Sequence, residues 1–224
     1  MSCNIGVILG GGLGTRFKGT IPKQYVKLNG KEIIAYSIEA FTKAKALDAF
    51  VVVVDEKSYK NGSVAEKYGV DCILGGNSRN ASVRNALDYI KVKYPDCKNV
   101  MIHEAARPFI TSEIIDTYMG YLTEYDAVIT TKTITDSLGK VGQHVVDRSE
   151  YYLIQAPEAF DFQLLADNFS PDSPITATVQ QMPESATFKC YYDFVDNHKV
   201  TFAEDLGVYE QLMKHRLIKD IIDK

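Results

Sequence analysis

Ile5-Gly-Val-Ile-Leu-Gly-Gly-Gly-Leu-Gly14 sets a short β-branched run against a glycine-rich loop. The run 5–9 lacks the polar alternation of a half-solvated strand, so it reads as one buried on both faces. The glycines from Gly10 to Gly14 let backbone N–H groups approach an anion at that strand's carboxyl end, where α/β sheets bind ligands. The same alternation continues downstream. Ile34, Ile38 and Phe41 predict a helix over 33–44, and Ala49–Val54 reads as a second buried strand. Shorter strands follow at Asp71–Leu74, 99–103 and 126–130, with helical patterns at Ser63–Tyr68, 81–92 and 112–122 between them. Strands alternating with helices imply an α/β fold: a mostly parallel sheet covered on both faces.

From Thr131 to Gln155 the pattern changes. Thr133, Ile134, Val141, Val145 and Val146 alternate with polar residues around Gly139 and Gly142, which predicts an extended hairpin outside the main sheet. Such an arm grips a second subunit or folds back as a local flap. Phe162–Asn168 reads as a short helix, 170–184 as loop, and 203–222 as the last helix, with Leu206, Tyr209, Met213 and Leu217 on one stripe. No repeat or linker divides the chain, so residues 1–224 read as a single domain with an arm at 131–155.

Composition narrows the function. Of 224 residues, 46% are hydrophobic and 24% charged, the balance of an ordinary globular chain. A net charge of -4, from 25 Lys plus Arg against 29 Asp plus Glu, argues against nucleic acid as the partner. It leaves room for a local basic pocket. Cys3, Cys72, Cys97 and Cys190 lie far apart with no C-x-x-C pair, which fits neither a disulfide framework nor a zinc ribbon. The longest apolar run, 50–54, cannot span a bilayer. A reducing, cytoplasmic setting without membrane contact is the expectation.

Two familiar phosphate motifs fail at the glycine loop. The Walker pattern's Gly-Lys-Ser/Thr is absent, and the dinucleotide fingerprint places Gly12 and Gly14 but meets Phe17 where Gly or Ala belongs. Its acidic partner is expected about 20 residues on, whereas Asp55 comes much later. What remains is a glycine loop followed by Arg16 and by Pro22-Lys23. Two cations beside a backbone nest suit a triphosphate; a tight turn with two solvated cations is the plain alternative.

Taken in order, Gly11-Gly-Leu-Gly-Thr-Arg16, Pro22-Lys-Gln-Tyr25, Gly75-Gly-Asn-Ser-Arg79 with Ser82-Val83, His103-Glu-Ala-Ala-Arg-Pro108, Gln155-Ala-Pro157 and Lys199-Val-Thr201 with Glu204-Asp-Leu206 are more specific. The chain resembles the cytidylyltransferases that make 4-diphosphocytidyl-2-C-methyl-D-erythritol or CDP-ribitol, over about residues 3–215. The resemblance implies a Rossmann-like nucleotidyltransferase fold and a homodimer joined through β-arms. It also implies a reaction in which an acceptor's phosphate monoester attacks the α-phosphorus of CTP and pyrophosphate leaves, with Mg²⁺ required.

By the same resemblance, Arg16, Lys23 and Lys199 are the catalytic cations. Leu9, Gly10, Gly11, Gly12, Gly14, Gly76, Asn77, Ser82 and Ala105 hold CTP. Glu104, where the family usually has Asp, serves the metal and the acceptor's hydroxyls, with Arg107 orienting it. Ser137 and Arg148 on the arm reach the acceptor phosphate in the partner's site. A phosphate monoester has a second pKa of about 6 and attacks already ionised, so a general base is not required. His103 accordingly reads as a packed strand-end residue and Arg79 as a solvated helix-end cation. Two departures fall on the acceptor side: Ile175-Thr-Ala-Thr-Val-Gln180 where Thr-Asp-Asp/Glu-Ala-Ser is usual, and Gln155-Ala-Pro-Glu158 for Gln-Thr-Pro-Gln. The Gly10-Gly11 opening and the 152–160 segment incline the reading toward D-ribitol 5-phosphate as acceptor, for cell-wall or capsule precursors. The alternatives are 2-C-methyl-D-erythritol 4-phosphate, and a nucleotide-binding module without activity.

Overall fold

The computed structural model describes residues 3–222 except Leu13, Thr15 and Thr20, and for 216–222 the backbone alone. The chain opens with β1 (Cys3–Leu9), then a small ribbon of β2 (Lys27–Leu28) and β3 (Lys31–Glu32) leading into α1 (Ile33–Lys43). Next come β4 (Ala49–Val54), α2 (Glu56–Lys60), α3 (Ser63–Tyr68), β5 (Asp71–Leu74), α4 (Arg79–Lys93), β6 (Cys97–Glu104), α5 (Ser112–Tyr121) and β7 (Ala127–Thr133). After the arm follow β8 (Tyr152–Asp161), α6 (Phe162–Asn168), β9 (Phe188–Tyr191) and α7 (Asp205–Ile222).

Seven strands form one sheet in the order β5-β4-β1-β6-β8-β7-β9. Every pairing is parallel except those of β8, which runs against both β6 and β7. Successive side chains of a strand point to opposite faces. Ile5, Val7, Val51, Val53, Val100 and Ile102 therefore pack with Val83, Leu87 and Ile90 of α4 and Leu165 of α6. Ile8, Val52, Val54, Met101 and Val128 pack instead with Ile34, Ile38 and Phe41 of α1, Tyr118 of α5 and Met213 of α7. Gly6 leaves room for this second layer, since a Cβ there would lie 2.6 Å from the Phe41 ring.

Several sequence expectations change. The strand β8, of which the sequence pattern places only 152–155, in the arm, lies between two others in the sheet. Its ladder with β7 skips Ala156 and Pro157, because Ile129 faces Glu158 while Thr130 faces Gln155. The predicted hairpin 131–155 is also not separate from the sheet. Residues 131–133 pair with 152–154 as an extension of β7 and β8, and beyond them the arm has one isolated bridge, Lys140 to Gln143. The stretch 170–184, expected as loop, holds a 3-10 turn at Thr178–Gln181 whose Thr178 and Val179 are buried. No described helix is long and apolar enough to cross a membrane. Cys3 and Cys97 face one another on β1 and β6 as free thiols.

Candidate active site

Backbone hydrogen bonds draw the carboxyl ends of the parallel strands together. Gly10 donates to Val53 at 2.8 Å, Gly75 to Val54 at 2.9 Å, and Ala105 to Leu9 at 3.0 Å. The chain leaves β1 toward β4 and β5 and later returns to β6 on the other side, so the sheet's switch point lies between β1 and β6. The glycine loop, the turn before α4 and the Glu104–Arg107 turn all meet at that crevice.

Gln24 secures the glycine loop. It is buried, and its Nε2 donates to the Gly10 carbonyl at 2.6 Å and to the Gly12 carbonyl at 3.1 Å. With those carbonyls turned toward Gln24, amides of the loop are left for a ligand. Gly14 has a φ of 63°, a conformation that costs glycine little. Arg16 is exposed at the loop's rim. Lys23 opens a 3-10 turn and reaches across to donate to the Val200 carbonyl at 2.7 Å. Burial, then repulsion from Lys199, bring the Lys23 ammonium down to about 8, with smaller pushes from Arg16 and Arg107 and an opposing pull from Glu104.

Across the crevice, α4 starts at a capped turn. Ser78 accepts from the Ala81 amide at 3.0 Å, and Ser82 Oγ accepts from the Gly76 amide at 3.0 Å while donating to the Ser78 carbonyl. Gly76 and Asn77 are exposed toward solvent, and Ser82 is buried behind them.

Glu104 is the centre of an ion cluster at the end of β6. Its Oε2 lies 2.7 Å from Lys199 Nζ and 3.1 Å from Arg107 Nε, and its Oε1 lies 3.6 Å from Arg79 Nε. Burial alone would raise its pKa, but Lys199 and Arg107 outweigh burial and hold the carboxyl down to about 2. Arg107 is itself fixed by donating to the Asn197 carbonyl at 2.9 Å, and Asn197 donates to the Ala156 carbonyl at 2.7 Å. His103 is fully buried, its Nε2 3.1 Å from the Arg107 carbonyl, and burial lowers its pKa to about 3. That is the packed role expected of it.

Most of the residues singled out in the sequence therefore converge. Leu9, Gly10, Gly11, Gly12, Gly14, Arg16 and Lys23 line one wall, Gly76, Asn77 and Ser82 another, and Glu104, Ala105, Arg107 and Lys199 the floor. Ser137 and Arg148 do not join them. Both are exposed on the arm, where Arg148 donates to the Thr135 carbonyl. Arg79 is not the solvated cation expected, since it is wedged between Glu104 and the buried Glu158, 3.3 Å from Glu158 Oε1. Gln24, Asn197 and Glu158 went unassigned in the sequence, and their spacing carries no signal of these roles. Among the described residues no three His, Cys, Asp or Glu side chains come together to hold a metal ion. The cations outnumber the carboxylates here, so the crevice suits a polyanion.

Residues 5–215 match the model of the family described as 2-C-methyl-D-erythritol 4-phosphate cytidylyltransferase. A cytidylyltransferase of that name from Clostridium beijerinckii is 34% identical, covering 93% of this chain and 97% of the relative. One from Clostridium kluyveri is 32% identical over 97% of this chain and all of the relative. The crystal structure of 4-diphosphocytidyl-2C-methyl-D-erythritol synthase from Anaerococcus prevotii superposes with a TM-score of 0.80 at 21% identity, covering 95% of this chain and 96% of that one, a likeness of fold. These relatives bear the methylerythritol name, so the preference for the ribitol branch drawn from Gly10-Gly11 and 152–160 finds no support in them. Sequence, fold and the ordered motifs agree that the chain is a nucleotidyltransferase belonging to the 2-C-methyl-D-erythritol 4-phosphate cytidylyltransferase family.

Proposed function

We propose that this protein transfers a cytidylyl group from CTP to 2-C-methyl-D-erythritol 4-phosphate and releases pyrophosphate. The observation that carries this reading is the crevice in which Lys23, Lys199, Arg107 and Arg79 surround Glu104 beside the Gln24-braced glycine loop. The names of the relatives support the choice of acceptor.

An oxygen of the acceptor's phosphate attacks the α-phosphorus, and the bond to the bridging oxygen of the β-phosphate breaks in line. The nucleophile arrives ionised, so His103 has no proton to take. Rate enhancement comes from fixed positive charge where negative charge builds. Lys23 and Arg16 face the triphosphate, Lys199 spans the junction, and the amides of Gly11, Gly12 and Gly14 hold the leaving oxygens. Gly76, Asn77 and Ser82 present backbone and hydroxyl groups to the cytosine edge. Glu104 accepts from acceptor hydroxyls through Oε1, the oxygen with the looser partner. Mg²⁺ would arrive as part of the substrate, Mg–CTP; with Glu104 the one carboxylate at hand, and that among cations, the phosphate oxygens would supply most of its ligands. The arm completes a homodimer, carrying Ser137 and Arg148 to the acceptor phosphate of the neighbouring subunit.

Pyrophosphate release tests the reading. CTP with Mg²⁺ and methylerythritol 4-phosphate should turn over, ATP, GTP and UTP should not, and ribitol 5-phosphate should be a poor acceptor. Turnover with ribitol 5-phosphate alone would overturn the acceptor, and none with either acceptor would overturn the function.

A further inference from the structure

The side chain of Arg79 makes four contacts, and they differ in firmness. Nη1 donates to the Thr176 carbonyl at 2.8 Å and to Thr178 Oγ1 at 3.1 Å, and Nη2 donates to Glu158 Oε1 at 3.3 Å. Toward the active site, Nε stands 3.6 Å from Glu104 Oε1, an ion pair without a hydrogen bond. The far end of the guanidinium is thus gripped and the near end only leans on the site.

The grip is built into the core. Glu158 sits on β8 with 1% of its surface exposed. Its carboxylate also accepts from the Thr178 amide at 3.3 Å and the Val179 amide at 3.0 Å. A buried carboxylate is costly unless its lone pairs are filled and its charge is met, and Arg79 is the cation that meets it. Next along α4, Asn80 Nδ2 donates to the Ser173 and Ile175 carbonyls at 2.9 and 2.8 Å. The first turn of α4 therefore bonds to Ser173, Ile175, Thr176 and Thr178, while Ser82 of the same helix braces Gly76 on the nucleotide wall.

We propose that Arg79, locked by Glu158, is a positioning residue that fixes the Glu104 carboxylate for the acceptor, without contacting either substrate. Glu104 Oε2 is drawn by Lys199 and Arg107 on one side. Without a counterweight at Oε1 the carboxylate would rotate into those two cations and withdraw the oxygen offered to acceptor hydroxyls. A planar guanidinium held at three points supplies that counterweight at a set place; a lysine ammonium, a single point charge on a flexible stem, cannot span both carboxylates.

This inference rests on the cytidylyltransferase reading, and steady-state kinetics of the full chain with methylerythritol 4-phosphate separates the two. Arg79→Lys should raise the acceptor KM about tenfold while the CTP KM stays within about twofold, the signature of one substrate's binding being lost. Glu158→Gln keeps an oxygen for the Val179 amide but removes the ion pair, so it should move the acceptor KM in the same direction by about threefold. The double variant should be no worse than about Arg79→Lys alone, because both changes break one linkage. An unchanged acceptor KM in Arg79→Lys, additive effects in the double variant, or equal rises for CTP and acceptor would each overturn the positioning role while leaving the function standing. A wild type without turnover would overturn both.

Discussion

Lys23 Nζ donates to the Val200 carbonyl at 2.7 Å, joining the loop after β1 to the segment before α7 across 177 positions of sequence. The bond puts one cation beside Lys199, and the price is a proton held less tightly than usual.

That cost makes CTP binding pH-dependent. The Lys23 pKa of the free protein is lowered to about 8, chiefly by burial, so above that value the nucleotide must bind a site that has lost a charge. The CTP dissociation constant, measured calorimetrically, should rise about tenfold between pH 7 and pH 9. The sign for folding is opposite. Between about 8 and 10.5 the unfolded chain keeps a proton that the folded one has released, so this site favours folding more as pH rises through that window. Lys23→Met should then melt no lower than wild type at pH 7 while losing about 10²–10³ in kcat. Near-normal turnover would show that Lys23 does not face the reacting phosphates.

Glu104 titrates the other way. Held down to about 2, its carboxylate contributes stability that is present above the ordinary value of 4.5 and lost as pH falls toward 2. Glu104→Gln removes the carboxylate that Lys199 and Arg107 share and should cost on the order of 3 kcal/mol at pH 7, at about 1.4 kcal/mol per pKa unit. Denaturant melts at pH 7, 4 and 2.5 should show the gap to wild type closing. A gap that stayed constant would mean the cluster contributes through packing.

Gln24→Ala tests the brace beneath the glycine loop. It removes donors from the Gly10 and Gly12 carbonyls and should destabilise the fold by about 1–3 kcal/mol. The CTP KM should rise about tenfold as the loop amides lose their aim. If thermal stability falls while the CTP KM does not change, Gln24 serves the fold alone.

Two glycines should part company. An added Cβ at Gly12 would meet nothing within 4 Å among the described residues, and its backbone lies outside the left-handed region. Gly12→Ala should therefore leave stability within about 0.5 kcal/mol, and any loss of CTP affinity would report close approach of the ligand. At Gly76 a Cβ would press on Ala81, 2.8 Å from its carbonyl carbon. Gly76→Ala should lower stability by about 1–3 kcal/mol through overpacking and weaken CTP as well. Equal thermal effects at the two positions would contradict this division.

The arm offers Val141 and Val145 at 102% and 80% exposure. If a second copy covers them, Val145→Asp should shift light scattering from dimer toward monomer and reduce turnover along with it. A wild type that scatters as a monomer would end the dimer proposal.

Much of this protein is legible residue by residue. Apolar runs and helical spacing predicted β1, β4, β5, α1, α3 and α6 nearly to their ends, because continuous burial and a 3.6-residue period leave local marks. The glycine loop and the ordered motifs pointed to the nucleotide for the same reason: they are contiguous. What stayed hidden depends on neighbours distant in the chain. The sequence pattern assigns 152–155 to the arm and leaves the rest of β8 without an element, and its seat between β6 and β7 buries Glu158. That burial makes a buried ion pair of Arg79, whose place at a helix start suggests an exposed cation. Glu104 gains its low pKa from Lys199, brought to it by the path of the chain before α7. A sequence states which charges a protein owns; desolvation and distance set what those charges do, and both are properties of the folded chain.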